Sequence, residues 1–135
     1  MCFNEFIEYK KTNMNWNEAL LALKTNIGLD LHLTPNKNFK FVRKIPPFKC
    51  KNYNNAEGFR VQVGSKSFVN IPLEMLQSVF EAAKLNNNTY NRAVFEVNFP
   101  RELNAKPCNV HSVGKLFEHA GIMQMINKQT YRITQ

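Results

Sequence analysis

Apolar residues first recur at helical spacing, then change to strict alternation, and this switch sets the layout of the first half of the chain. Phe3, Phe6, Ile7 and Lys10 predict a short helix over 3–10. Asn15 is a suitable cap for the next helix. Glu18 stands three residues on in a capping-box pattern, and Trp16, Ala19, Leu20, Leu23 and Ile27 share one face. Gly28 supplies the stop. From Leu29 the period is two: Leu29, Leu31 and Leu33 alternate with Asp30 and His32, the mark of a half-buried strand. Pro35 and Asn36 mark a turn, residues 38–45 read as a second strand, and Pro46-Pro47 ends it because proline cannot donate to a ladder. The polar, Asn-rich stretch 48–58 reads as a loop. Residues 59–63 and 67–71 flank Gly64-Ser65-Lys66 as a tight hairpin.

The second half is helical. Pro72 suits a first helical position, and Leu73, Leu76, Val79, Phe80 and Ala83 mark a helix ending near Asn86. Asn86-Asn87-Asn88 is a break. A shorter helix over 91–99 is stopped by Pro100, and a loop runs through Pro107. Asn109 is placed to cap a third helix with Val110, Val113, Phe117 and Ala120 as its buried stripe, closed by Gly121. Residues 122–134 read as a β-hairpin around Asn127-Lys128-Gln129. The pattern predicts an α+β fold: an N-terminal helix and small antiparallel sheet over 1–66, packed with a three-helix unit and hairpin over 67–135. At 135 residues these form one compact domain.

Charge changes the picture more than composition does. The net charge of +8 is uneven. Residues 1–36 sum to −1 and residues 67–135 to +2. Residues 37–66 sum to +7, with Lys37, Lys40, Arg43, Lys44, Lys49, Lys51, Arg60 and Lys66 against Glu57 alone. The same stretch holds Phe39, Phe41, Phe48, Tyr53 and Phe59. Interleaved cations and rings suit nucleic acid, since cations neutralise phosphates and rings stack on unpaired bases. Core is nevertheless the better reading of the aromatics, with Phe39, Phe41 and Ile45 inward and Lys40 and Lys44 outward. The three cysteines, Cys2, Cys50 and Cys108, form no disulfide framework, which points to a reducing, cytoplasmic setting. Neither a membrane span nor a signal peptide is expected: no apolar run is long enough, and Glu5, Glu8 and Lys10 interrupt residues 1–11. The Lys and Asn bias fits AT-rich coding and a mobile-element source.

From residue 68 the order strand, helix, helix, helix, hairpin resembles the winged helix-turn-helix superfamily of DNA-binding domains. The likeness covers 68–134 and includes the stretch His111-Ser112-Val113-Gly114-Lys115-Leu116-Phe117-Glu118-His119-Ala120-Gly121. In that superfamily the third helix enters the major groove and the hairpin touches flanking backbone. The resemblance therefore implies that helix 109–120 presents Asn109, His111, Ser112, Lys115 and His119 outward, and that the hairpin offers Lys128 and Arg132. Two departures stand against it. The 100–107 connection is longer than a tight helix-turn-helix turn, and the helix is poor in Arg, the commonest reader of guanine.

Catalytic readings fare worse. Glu8-Tyr9-Lys10 matches half of a nuclease Glu-x-Lys motif but lacks the earlier strand acid, Glu5 alone preceding it. Cys108, His111 and His119 are spaced like zinc ligands, with Cys50 or His32 needed to complete the set, yet no second paired motif is present. Cys108 and His111 as nucleophile and base lack an orienting acid. Gly64-Ser65-Lys66-Ser67 lacks the glycines and helix of a phosphate loop. The expectation is a non-catalytic nucleic-acid-binding protein without cofactor or metal, with DNA favoured over RNA. Lys40, Arg43, Lys44, Lys49 and Lys51 are the expected phosphate contacts. The alternative is a protein-interaction module or homodimer.

Overall fold

The computed structural model describes residues 14–27, 30–34, 37–42, 57–64 and 66–134, and the fold is α+β. Helix α1 (Trp16–Ile27) opens with the expected reciprocal cap: the Asn15 amide donates to Glu18 Oε1 at 3.0 Å and the Glu18 amide to Asn15 Oδ1 at 2.9 Å. Strands β1 (Asp30–Thr34), β2 (Lys37–Val42), β3 (Gly58–Gln62) and β4 (Phe68–Pro72) follow as an antiparallel sheet in chain order. Phe59, Val61, Val69 and Ile71 point to the core, whereas Arg60, Gln62, Phe68 and Asn70 face away from it. Phe59 thus belongs wholly to the core. Register sets Phe39 opposite Val61 and Phe41 opposite Phe59. The predicted loop over 48–58 lies outside the described residues except for Glu57 and Gly58, and so does the predicted helix over 3–10.

Helix α2 (Leu73–Leu85) begins one residue later than the sequence suggests. Pro72 is the last residue of β4 and the N-cap of α2, with φ −66° and ψ 151°; it is not the first helical residue. Its extended ψ satisfies the strand, and its missing N–H costs nothing on an edge. Asn87 and Asn88 take φ of 55° and 58°, the left-handed conformation that asparagine tolerates best among non-glycine residues. They reverse the chain into β5 (Thr89–Tyr90). Helix α3 (Arg92–Asn98) is capped by Asn91, whose Oδ1 accepts from the Val94 amide at 3.1 Å.

The connection expected as a loop over 100–107 is corrected: Pro100–Ala105 form a further short helix, α4. Pro100 ends α3 and starts α4 at a position where its absent N–H is not missed, while Leu103 donates to the Phe99 carbonyl at 3.0 Å. Helix α5 (Cys108–His119) then has Pro107 at its N-cap. Asn109 lies inside the first turn and does not cap. Its amide donates to the Lys106 carbonyl, and its side chain reaches back to the Glu102 carbonyl at 3.2 Å.

Gly121, at φ 80°, closes α5 with a Schellman pair: its own amide donates to Glu118 O and the Ile122 amide to Phe117 O at 2.9 Å. Strands β6 (Met123–Asn127) and β7 (Thr130–Ile133) form the expected hairpin, and the second sheet runs β5–β7–β6. Both halves of the chain feed one cluster of buried residues, from Ala19 and Leu23 through Phe59 and Phe80 to Phe117 and Tyr131. The β3–β4 hairpin straddles residue 66, so the two expected sub-domains share a sheet. Among the described residues no helix is long and apolar enough to cross a membrane.

Candidate nucleic-acid interface

The central element is α5, which touches α1, β4, α4, β6 and β7. So many neighbours bury more of its circumference than an amphipathic stripe would, and seven of its twelve residues are buried. Asn109 and Ser112 are among them, at 6% and 4% exposure, which corrects the expectation that both point outward. Asn109 holds α4 against α5, and neither side chain is available to a base edge.

What remains open on α5 is a narrow strip. His111 and Lys115 are half-buried and His119 is exposed, at successive turns of one face beside Cys108 and Glu118. Lys115 Nζ pairs with Glu118 Oε1 at 3.0 Å, so the one lysine on the strip is matched locally by a carboxylate. Burial lowers the pKa of His119 below its ordinary value and neighbouring Lys115 adds to that, with Glu118 opposing; at neutral pH the imidazole is neutral.

The hairpin packs on α5 through Tyr131. Its ring lies against Gly114, where any side chain would strike it, and its hydroxyl stands 3.5 Å from His111 Nδ1. Burial, with Glu118 adding, pushes the Tyr131 phenol up to about 12. Tyr90 sits beside it at 6.0 Å between ring centroids and donates to the Val110 carbonyl at 2.7 Å. Arg132 alternates to the opposite face of β7, level with Gln124 and Thr89, and Lys128 stands at the turn. Both are exposed and neither forms an ion pair among the described residues.

The expected basic contacts divide accordingly. His111, Lys115 and His119 come together on α5, whereas Arg132 and Lys128 lie on the far side and tip of the hairpin. Lys40 stands in β2 opposite Arg60 in register. Arg43, Lys44, Lys49 and Lys51 lie outside the described residues. Among the described residues no group of three His, Cys, Asp or Glu side chains is placed to hold a metal.

A cluster that sequence reasoning passed over lies on the outward face of the first sheet. The Arg60 guanidinium sits 4.4 Å above the Phe68 ring centroid, and its Nη1 donates to Asn70 Oδ1 at 3.2 Å. Lys106 Nζ donates to the Phe68 carbonyl at 2.7 Å. The signal available in the sequence was the alternation over 59–63, which turns Arg60 outward whenever Phe59 and Val61 turn in.

No family model, curated protein or solved structure matches this chain. Function rests on the geometry alone.

Proposed function

We propose that this chain is a non-catalytic nucleic-acid-binding protein that holds duplex DNA mainly by its phosphates and reads few base edges. The observation that carries the reading is the hairpin, which presents Lys128 at its tip and Arg132 on the face turned from α5 to solvent, while His111, Lys115 and His119 lie on the open strip of the helix it packs against. The order α2, β5, α3, α4, α5, β6, β7, with β7 central in its sheet, supports a winged-helix-like use of residues 73–134. The net charge of +8 supports a polyanionic partner. With Asn109 and Ser112 buried and Lys115 paired, base reading has little to work with, so binding is sequence-tolerant.

The test is a mobility shift on duplexes of unrelated sequence across a salt series. Similar affinities are expected, and Lys128→Gln with Arg132→Gln should lower the log–log salt slope by ~0.9 for each phosphate no longer neutralised. Absence of any shift at low salt refutes the proposal.

A second reading, self-association, is favoured by one observation. Leu85 and Val97 are 91% and 82% exposed, and Val97 lines a groove of about 340 Å³ between α2 and α3 with Ala82, Ala93 and Val94. Light scattering separates the two readings: an oligomer that Val97→Asp dissolves supports the second.

A further inference from the structure

We infer that the outward face of the four-stranded sheet is a separate site for single-stranded nucleic acid, built on the Arg60–Phe68 stack. Its residues belong neither to α5 nor to the β6–β7 hairpin, and it does not depend on the duplex reading above.

Arg60 and Asn70 are cross-strand partners, and so are Gln62 and Phe68, so all four share the sheet face turned from the core. The guanidinium lies over the Phe68 ring at 4.4 Å, and its Nη1 is tied to Asn70 Oδ1 at 3.2 Å. One face of the guanidinium is thus covered by the arene and its orientation is fixed from the side. A planar cation held this way offers its other face to a flat π-system, and the ordering entropy of a long side chain is already spent before any ligand arrives. Unpaired bases stack on aromatic rings and on arginine planes alike, but bases inside a duplex are covered above and below by their neighbours.

Phosphate partners flank the stack. Lys66 is exposed at the β3–β4 turn, two residues before Phe68. Lys106 is anchored to the Phe68 carbonyl at 2.7 Å and is otherwise exposed, so a third cation stands at the backbone of the ring's own residue. None of Arg60, Lys66 and Lys106 forms an ion pair among the described residues, unlike Lys24 and Lys115, which have Glu57 and Glu118. Three such cations around one half-open arene have the charge and the shape for a phosphate–base–phosphate run. An acidic peptide would use the charge and leave the planar stack unused.

The experiment uses the full chain and fluorescence anisotropy with labelled dT and rU oligomers of ~12 nucleotides, within the usual site sizes, beside a duplex of equal length. Arg60→Lys keeps the charge and removes the plane. Phe68→Leu keeps apolar bulk and removes the ring, so the pair remains informative should one of them fold poorly by circular dichroism. Each is expected to weaken both oligomers about tenfold and to leave duplex affinity within about twofold. Lys66→Gln with Lys106→Gln should lower the single-strand salt slope by ~0.7 for each phosphate no longer neutralised. Lys128→Gln with Arg132→Gln should leave the oligomers unaffected, which separates failure here from failure of the duplex reading. Equal affinity for dT and rU means that base and phosphate suffice; a preference for one identifies the sugar that fits. Arg60→Lys binding as tightly as the parent, or neither oligomer binding at low salt, overturns the inference.

Discussion

Adding a single methyl group at Gly114 tests the packing on which the candidate interface rests. A Cβ at this position would overlap Tyr131 Cε1 and lie 2.5 Å from Cζ and 2.9 Å from Cδ1. Carbon atoms in contact normally sit ~3.5–4.0 Å apart, so the overlap is about 1 Å. The ring cannot swing away cheaply. Tyr131 is fully buried, stacks near Tyr90, and Tyr90 is itself tied to the Val110 carbonyl one turn earlier on the same helix. Helix propensity works the other way, favouring Ala over Gly by about 1 kcal/mol in a helix interior. Overpacking of a close-packed core costs ~1–3 kcal/mol and sometimes more. With an overlap this deep the upper end applies, so Gly114→Ala should destabilise by about 2 kcal/mol net.

Urea denaturation followed by far-UV circular dichroism measures this, and the double variant with Tyr131→Leu locates the cause. If the ring is the obstacle, the Ala penalty should shrink by more than ~1 kcal/mol in the Tyr131→Leu background. Gly114→Ala as stable as the parent, or a penalty unchanged by Tyr131→Leu, would refute the contact between α5 and the hairpin.

Glu102→Gln should raise stability by about 1 kcal/mol in the same assay, because Glu102 Oε2 is buried with no donor among the described residues and a neutral amide costs less to bury than a carboxylate. Gln129 holds φ at 61° in the hairpin turn, so Gln129→Gly should stabilise by up to ~1 kcal/mol; a decrease would mean the turn is built differently. Burial raises the phenols of Tyr90 and Tyr131, the latter to about 12, so the unfolded chain ionises first as pH climbs past 10. Stability is then intact below pH 10 and falls above it, a fall that Tyr131→Phe should soften in alkaline melts read at the tyrosinate band. Glu118→Gln frees Lys115 from its 3.0 Å partner and should tighten duplex binding if the α5 strip meets phosphate; unchanged affinity would remove α5 from the interface.

Features with a local cause were legible in the sequence. The Asn15–Glu18 cap, the asparagine run at 86–88 and Gly121 after α5 each act through their own backbone neighbourhood, and the chain order alone exposes them. Features decided by packing partners were not. Six residues from Pro100 to Ala105 are too few to display a helical period, and two prolines at their flanks suggest a loop. Asn109 and Ser112 look like surface residues because they are polar; they are buried because α4 and the sheets close over α5 from several sides. Phe59 sits in a basic, aromatic stretch that resembles a binding segment, yet alternation sends it inward and sends Arg60 out.

The same packing separates two tasks that a recognition helix ordinarily combines. A helix that reads bases must keep its first turns clear of its own protein, but here Asn109 and Val110 are sealed against neighbouring elements and Gly114 is covered by Tyr131. The residues of α5 left outside include a carboxylate that matches the only lysine of the helix, and His119, whose pKa burial lowers. Such a strip attracts phosphate weakly. Cations without an ion pair among the described residues stand elsewhere, among them Lys128 and Arg132 on the hairpin and Arg60, Lys66 and Lys106 near Phe68. On the proposed reading phosphate is met chiefly by cations outside α5, while α5 is the core element that packs against strands of both sheets.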